Sequence, residues 1–314
     1  MQLKLPTAIL DARMDELTMY GLLQRARQFA DEGKWLHAVQ VYTSIINEEP
    51  ACDDAWIELA SAYAALHKPD AAEVLLMERA AAAESPEPFL FILGSILYRA
   101  GRTTEAYRHF ARVLRVEQRL DAKVRSRLHY FLGAIFGEQH KWSVAEYHFR
   151  TVVQVEPTFP RIHESLAEVL LRRGQIDEAD GHLRLALAEE PYSWTGHYLR
   201  GLLESRRRRW EQALESFVQA VDIDPHEPRG WHKCGETLIA MRRLAESEHY
   251  LRKALELNPA MIDAVVEYGY LELERGDYVR AGEWFERALA ADPGHRRALA
   301  GARTLSRTTR RRDG

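Results

Sequence analysis

The sequence predicts an all-α protein built from about eight helical hairpins, and two observations carry that prediction. Particular residue types recur every 34 positions along most of the 314 residues. Between them, apolar residues recur at three and four spacings, and no stretch alternates apolar and polar side chains as a half-buried strand would. Glycine and proline almost never interrupt these intervals, so we expect helices separated by short turns.

Four ladders of residues share the 34-residue step. One ladder consists of the prolines Pro157, Pro191, Pro225, Pro259 and Pro293. A ladder of small residues comprises Ala26, Ala60, Gly94, Gly133, Ala167, Gly201, Gly235 and Gly269. A second small ladder comprises Ala38, Ala72, Ala106, Ala145, Ala179, Ala213, Ser247 and Ala281. The fourth, of large apolar residues, comprises Tyr42, Leu76, Phe110, Phe149, Leu183, Phe217, Leu251 and Phe285.

Residues 262–295 show what one copy of the repeat encodes. Each half carries apolar residues at helical spacing, and a Gly-Asp pair lies between the halves, which predicts two amphipathic helices joined by a tight turn. Gly269 and Ala281 are small, so we expect the two helices to approach closely there, with Phe285 filling the space beside them. Pro293 lacks an amide hydrogen and disfavours helix in the residue before it, so the second helix must end.

A repeat of this length and pattern resembles the tetratricopeptide repeat. Its aromatic opening position holds Trp56 and Trp231, and its Leu-Gly pair appears at 93–94 and 132–133, over a resemblance that spans residues 19–295. Arg25, Arg79 and Arg200 depart from it at positions that are usually apolar. The resemblance implies a right-handed α-solenoid in which the first helices line a concave groove that binds peptides or partner segments.

The ladders also predict the boundaries of each segment. The repeats are 19–52, 53–86, 87–125, 126–159, 160–193, 194–227, 228–261 and 262–295, preceded by an N-terminal arm (1–18) and followed by a capping helix (296–306) and a basic, disordered tail (307–314). Gly94 and Gly133 are 39 residues apart, so five residues are inserted within 115–126, which contains no proline or glycine. We expect a lengthened helix there, and whether it acts as a hinge stays open.

Composition and motifs argue against several functions. The net charge of −4 disfavours a dedicated nucleic-acid or membrane binder, and no window approaches the length of a membrane span. The two cysteines, Cys52 and Cys234, lack CxxC partners, and the N-terminus is not a secretory signal, so a cytoplasmic protein is expected. No catalytic motif is present and the repeats consume nearly every residue, which predicts a protein without enzymatic activity or cofactor.

Histidines and arginines form two patterns that invite a functional interpretation. His129, His163 and His197 are 34 apart, at the position that holds tryptophan in two repeats. Equivalent positions of stacked hairpins lie about 8–10 Å apart, too far to share a metal, so we interpret these rings as filling the tryptophan slot and predict no metal site. The run SRRRRW at 205–210 is interpreted as a solvated helix end, with an acidic-peptide, phosphate or nucleic-acid contact, to which the terminal arginines 310–312 would add, as the weaker alternative.

Function is therefore expected on the groove, as a scaffold or adaptor that binds an extended peptide or helix of one or more protein partners. The alternative is a structural subunit, or a homo-oligomer, that associates through its ends, its convex face and its N-terminal arm. The groove mixes aromatic residues with both charge signs, and tyrosine and arginine are enriched at binding hot spots. The predicted lining comprises Phe91, Tyr98, Arg99, Arg127, Tyr130, Glu164, Glu168, Arg172, Tyr198, Arg206, His232, Lys233, Glu236, Glu267 and Tyr270.

Overall fold

The described part of the chain consists of eight helical hairpins followed by one further helix. The structure, a computed structural model, describes residues 16–312 and the side chains of residues 18–308, and within them it has 17 α-helices and no strand. The first helices of the hairpins are α1 (Glu16–Asp31), α3 (Asp53–Ala65), α5 (Glu87–Arg99), α7 (Ala122–Glu138), α9 (Ile162–Arg172), α11 (Trp194–Arg206), α13 (Pro228–Ala240) and α15 (Ile262–Arg275). The second helices are α2 (Trp35–Glu48), α4 (Pro69–Ala82), α6 (Thr103–Leu114), α8 (Trp142–Val155), α10 (Ile176–Glu189), α12 (Trp210–Ile223), α14 (Leu244–Leu257) and α16 (Tyr278–Ala291), and α17 (Arg296–Arg312) follows them.

These helices form two compact units that divide between Glu156 and Pro157. The first unit holds α1–α8, and α1–α7 share one continuous apolar core, whose largest members include Tyr42, Phe89 and Phe110. The second unit holds α9–α17, and its buried apolar residues include the fourth-ladder side chains of its hairpins. Each unit therefore has its own core, as expected for helices that bury one apolar face each.

Each hairpin turn contains one residue in the left-handed region of backbone space. In four turns it is a glycine, and the first of these, Gly33, has φ of 72°. The amide of Lys34 then donates to the carbonyl of Phe29 at 2.7 Å, the return bond that closes a Schellman-type helix end. The other four turns place a bulkier residue there, and these residues are His67, His140, Arg208 and Arg242.

The two helices of a hairpin touch where the small and large ladders meet. In the sixth hairpin a Cβ added to Gly201 would lie 2.4 Å from the ring of Phe217, closer than real contacts allow. Gly269 and Phe285 show the same relation at 2.5 Å. At Gly235 the facing side chain is Leu251, at 2.6 Å. The glycines of the small ladder therefore lie where a large apolar side chain of the second helix packs directly on the backbone of the first, the close approach that the sequence predicted.

The insertion differs from the expected lengthened helix. Helix α6 ends at Leu114, a single 3₁₀ turn spans Glu117–Arg119, and α7 begins at Ala122. The side chain of Asp121 accepts a hydrogen bond from the amide of Val124 at 2.9 Å, which is an N-cap and so starts a new helix. The expectation is right only for α7, whose 17 residues exceed those of the other first helices. The insertion lies inside the first unit, away from the boundary at 156/157.

The two ends of the chain can be compared with the predicted N-terminal arm, capping helix and tail. Helix α17 continues to Arg312, so the predicted end at 306 and the disordered tail at 307–314 are wrong over the described residues. No proline or glycine lies between 302 and 312, and Thr308 donates to the carbonyl of Thr304 at 2.9 Å, four residues earlier. Buried Ala298 and half-buried Leu305 pack on the apolar cluster of α15 and α16. Of the predicted N-terminal arm, residues 1–15 lie outside the described residues.

Substituting Gly201 tests the contact between ladders. Gly201→Ala should lower the free energy of unfolding by about 1–3 kcal/mol, because the new methyl overpacks the site against Phe217. Gly181→Ala, in α10 of the same unit with nothing within 4 Å of the added Cβ, should raise it by about 0.5–1 kcal/mol through helix propensity. Urea unfolding followed by circular dichroism measures both. Equal effects of the two changes would contradict the packing role of Gly201.

Candidate functional site

Two clefts lie on the first helices of the second unit. The larger has a volume of about 440 Å³ and is lined from α11, α13, α15 and α17, and the smaller, of about 340 Å³, is lined mainly from α9, α11 and α13. They share Leu202, Arg206 and Lys233, so together they form one continuous surface. Nine predicted lining residues lie here, and they are Glu168, Arg172, Tyr198, Arg206, His232, Lys233, Glu236, Glu267 and Tyr270.

An aromatic face borders the smaller cleft. Trp194 and Tyr198 are four residues apart on α11, and their rings stack with centroids 4.8 Å apart. The guanidinium of Arg229 lies 4.7 Å from the Trp194 centroid and is held by Glu227, whose carboxylate accepts its Nε at 2.8 Å. Burial raises the pKa of the Tyr198 phenol. Neither Trp194 nor Arg229 was predicted for the site, although the one-turn spacing of Trp194 and Tyr198 was a readable signal.

A cluster of charged side chains lines the larger cleft. Lys233 Nζ lies 2.5 Å from Glu236 Oε2, and Arg297 of α17 pairs both with Glu236 and with Glu267, whose Oε1 lies 2.8 Å from Arg297 Nη1. Burial opposes ionisation of Glu236, but Lys233 and Arg297 together lower its pKa to about 2. Burial and the neighbouring Glu236 raise the pKa of Glu267. Arg297 was not among the predicted residues because it comes from the helix expected only to cap the last repeat.

His232 belongs to the same cluster but is not hydrogen-bonded through Nε2. That nitrogen is buried without a hydrogen-bond partner among the described residues, and it lies 4.0 Å from Glu267 Oε1. Burial, with a contribution from the charge of Lys233, lowers the pKa of His232 to about 4. The imidazole is therefore neutral near pH 7.

The smaller cleft is locally cationic. Its lining contains Arg172, Arg206, Arg229 and Lys233 but two carboxylates, those of Glu168 and Asp263, whereas the whole chain carries −4. Among these cations Arg206 makes no ion pair within residues 18–308, while Arg172 pairs with Glu168 at 3.5 Å. The local field therefore favours anionic groups although the protein is acidic.

The arginine run at 205–210 has two kinds of member. Arg207 pairs with Asp177 at 2.9 Å and with Asp180 at 3.1 Å, and Arg209 pairs with Glu204. Arg208 is the exposed left-handed residue of the turn. The interpretation as a helix end fits the run, because α11 ends at Arg206 and the other three arginines follow in the turn. Arg206, which is exposed, also lines both clefts.

The predicted lining residues of the first unit do not line either cleft, and two of them pack against neighbouring side chains. Phe91 is 6% exposed and packs on Phe110 and Phe131, with ring centroids 6.0 and 6.3 Å away, so its assignment to an open groove is wrong. Tyr98 is half-buried, contacts Phe131 edge-on, and donates its hydroxyl to Glu138 at 2.8 Å. Sequence reasoning missed Phe131, whose ring covers Phe91.

The remaining predicted residues lie outside the clefts, and their exposure to solvent ranges from exposed to buried. Arg99 and Arg127 are exposed, and Tyr130 is half-buried with its ring 5.9 Å from that of Phe149. Glu164 in the second unit is buried, accepts from Arg161 at 2.8 Å, and also accepts from the hydroxyl of Ser193. Its carboxylate is satisfied internally, so its assignment to the open groove is also wrong.

One histidine of the predicted row occupies a tryptophan slot. His197 Nε2 donates to the carbonyl of Pro191 at 2.9 Å. The indole of Trp231 makes the same bond to Pro225 at 2.9 Å, and that of Trp56 bonds the carbonyl of Pro50 at 3.0 Å. For His197 the interpretation as an amphipathic ring in the tryptophan position is therefore right.

The other two histidines of the row each pair with a histidine of the second helix. His129 Nδ1 lies 2.9 Å from His148 Nδ1, and His163 Nδ1 lies 3.0 Å from His182 Nδ1. The inserted turn contributes Glu117, whose Oε1 lies 3.0 Å from His129 Nε2. Burial, followed by the neighbouring His129, lowers the pKa of His148 to about 4.

A family model completes the assignment of the repeats. The model described as tetratricopeptide repeat matches residues 23–88, 164–228 and 235–296, well over half of the chain. The chain belongs to the tetratricopeptide repeat family. Repeats of this family generally mediate protein–protein interaction through extended concave surfaces. No helix among the described residues combines the length and apolarity that crossing a bilayer requires.

Curated relatives match over part of their length. Human protein O-mannosyl-transferase TMTC1 is 24% identical over 205 residues, covering 64% of this chain and 23% of that protein. Human tetratricopeptide repeat protein 13 is 28% identical over 179 residues, 55% of this chain and 20% of that protein. The type IV pilus assembly protein PilF of Pseudomonas aeruginosa is 22% identical over 157 residues, 49% of this chain and 62% of that protein. The matches thus span from a fifth to three fifths of these relatives.

Solved structures support the same fold. The Cut9–Hcn1 hetero-tetramer of the APC/C matches with a TM-score of 0.64 and 13% identity, over 93% of this chain and 57% of that chain. A tetratricopeptide repeat protein from Parabacteroides merdae matches with a TM-score of 0.55 and 14% identity, over 92% of this chain and 98% of that chain. The predicted fold class, an all-α tetratricopeptide solenoid, is confirmed.

The burial of His148 beside His129 should make stability depend on pH. The folded pKa of His148, about 4, lies below the ordinary value of 6.5, so the unfolded chain binds more protons between these values. The free energy of unfolding should therefore fall as pH drops from 6.5 to 4, by up to about 1.4 kcal/mol per pH unit for this group. Urea unfolding across this pH range measures the slope.

Two variants isolate the contribution of His148. His148→Ser introduces the residue that occupies the equivalent position as Ser216, and it should flatten the pH slope of the first unit's unfolding. His226→Ala, at an exposed position, should leave the slope unchanged. A wild-type slope that survives His148→Ser would contradict the assignment of the proton to His148.

Proposed function

We propose that the chain is a non-enzymatic adaptor or scaffold whose two clefts in the second unit bind an extended segment or helix of a protein partner. The observation that carries the proposal is the continuous surface on which Tyr198 and Leu202 adjoin Arg206, a cation without an ion pair within the described side chains. Family membership supports the general role, since tetratricopeptide surfaces serve as binding faces.

The chemistry of the surface suggests what the segment carries. Arg206 and the excess of cations in the smaller cleft favour a carboxylate, and the Trp194–Tyr198 stack with Leu202 favours a neighbouring apolar side chain. An apolar anchor that buries about 100 Å² contributes about 2.5 kcal/mol. Two or three such anchors are compatible with a dissociation constant near 1 μM, about 8 kcal/mol of binding free energy.

We propose no transferase activity for this chain. The mannosyl-transferase relatives are matched over 23% of their length or less. Of the carboxylates in this chain's larger cleft, Glu236 and Glu267 pair with Lys233 and Arg297, and Glu274 pairs with Arg242. We also propose a cytoplasmic location, because Cys52 and Cys234 are free thiols, which persist in reducing compartments.

A paired set of double variants tests the adaptor function. A photo-cross-linking residue placed at Leu202 identifies the bound segment by mass spectrometry, and fluorescence anisotropy then measures its affinity. Tyr198→Ala with Arg206→Glu should weaken binding at least tenfold, about 1.4 kcal/mol, since it removes an anchor and reverses a charge. The control, Tyr192→Ala with Arg208→Glu, changes exposed residues outside the clefts and should bind as the wild type does. Equal affinities of both double variants would refute binding in the clefts.

A structural subunit is the second candidate, and exposed apolar residues favour it. The second helices carry large apolar side chains in solvent, among them Val74 (69% exposed) and Val279 (74% exposed). Others on second helices are Leu36, Tyr147 and Leu185. Surfaces that expose apolar groups often contact other proteins. PilF, one of the relatives, is named for pilus assembly. The predicted N-terminal arm was a further reason for this candidate, and its residues 1–15 lie outside the described residues.

Sedimentation velocity distinguishes self-association from a monomeric adaptor. If second helices pair copies of the chain, Val74→Lys with Val279→Lys should shift the sedimentation coefficient to that of a monomer, because each lysine would have to be desolvated at the interface. A chain without residues 1–10 tests the arm in the same way. A wild type that sediments as a monomer at all concentrations would rule out self-association through either surface.

A further inference from the structure

We propose that His232, Glu236 and Glu267 form a binding site for a divalent transition-metal ion of the Zn²⁺ or Mn²⁺ class. The site lies between α13 and α15 in the second unit, where Glu236 and Glu267 line the larger cleft and His232 lines the smaller one. It goes beyond the proposed adaptor function.

The backbone places three ligand atoms of suitable chemistry together. His232 and Glu236 are four residues apart on α13 and so lie on one face, the spacing by which helices present metal ligands. Glu267 comes from α15, and one ligand atom from each of the three residues lies within 4.8 Å of the others. Ligands about 2.0–2.2 Å from one ion are about 3–3.5 Å apart, so adjustments of about 1 Å in side-chain position complete the site.

His232 supplies an observation independent of the two carboxylates. Its side chain is 5% exposed, and Nε2 is buried without a hydrogen-bond partner within the described residues while facing Glu267 Oε1 at 4.0 Å. A buried nitrogen without a partner costs about 1–3 kcal/mol. A neutral imidazole with a free lone pair is the form that binds metal, so a bound ion would satisfy this atom.

Arg297 shows that the point between the carboxylates is a cation position. Its guanidinium bridges Glu236 and Glu267, and its side chain is 47% exposed, so it has solvent to move into. Lys233 also forms an ion pair with Glu236 and so offsets part of the negative charge of the two carboxylates. An ion that enters must therefore displace Arg297, which makes the affinity of the wild type weak and the affinity of a variant without this arginine higher.

The donor set indicates which ions bind. One imidazole with two carboxylates suits Zn²⁺, Mn²⁺ and neighbouring transition metals, whereas Mg²⁺ and Ca²⁺ prefer sites made of oxygen alone. Three protein ligands would leave at least one coordination position for water, as in an open zinc site. Bound metal would also join α13 to α15 across the cleft.

Calorimetric titration of the full chain with ZnCl₂ tests the site. We expect Arg297→Gln to bind one Zn²⁺ at least tenfold more tightly than the wild type does, and adding Glu236→Gln to that variant to remove the gain. Adding Asp263→Asn instead, which changes a neighbouring acid that pairs with His295 outside the cluster, should leave the gain intact. MgCl₂ should give no such site in any variant.

Two controls separate binding at this site from misfolding of a variant and from binding to surface histidines. Circular dichroism confirms that each variant is helical, and if Arg297→Gln fails to fold, the wild type and Glu236→Gln alone are compared, with the loss of one Zn²⁺ equivalent expected. The visible spectrum of bound Co²⁺ should lose its d–d bands when His232→Gln is introduced. The proposal is overturned if removing Arg297 brings no gain, if Asp263→Asn removes the gain as Glu236→Gln does, or if Glu236→Gln leaves Zn²⁺ binding unchanged.

Discussion

The structure depends on the direct contact between a small residue of each first helix and a large apolar side chain of the second. At Gly201 and Gly269 the ring of the facing phenylalanine lies where a Cβ would otherwise be. Because this contact fixes the side of each first helix that is buried, it also fixes the side that is left for other molecules. The clefts of the second unit consist of these remaining faces, so the position of the candidate site follows from the packing inside the hairpins.

A 34-residue period was enough to predict the helices, because packing repeats wherever the period does. The sequence did not reveal that histidine or arginine takes the left-handed conformation in four of the hairpin turns, and the reason is physical. Histidine and arginine can adopt φ near 57° when the helix-ending hydrogen bonds around them are made, so half of the turn positions carry no glycine to signal them. The insertion was misjudged because a single capping side chain, Asp121, outweighed the absence of proline and glycine nearby.

The site could be predicted only as far as helical periodicity reaches. Counting along a helix identifies which residues leave the hairpin core, and in the second unit nine residues chosen in this way line the two clefts. Counting cannot identify what an adjacent hairpin or turn contributes. Phe91 is covered by Phe131 of the next hairpin, and Glu164 is satisfied by Ser193 of the next turn. Arg297 was missed for the same reason, since its partners lie 30 and 61 residues away.

The distribution of ion pairs decides where on this surface a ligand gains most. Lys233, Glu236 and Glu267 are already paired, so a ligand that bonds any of them must first break a buried contact and leave its partner charged. That exchange returns little net free energy. Arg206 has no ion pair to lose within the described residues and adjoins Leu202 and Tyr198, so an incoming carboxylate gains a charge-assisted hydrogen bond without such a loss. Binding of a polypeptide should therefore concentrate at Arg206, while the paired cluster next to it favours ligands that replace a cation.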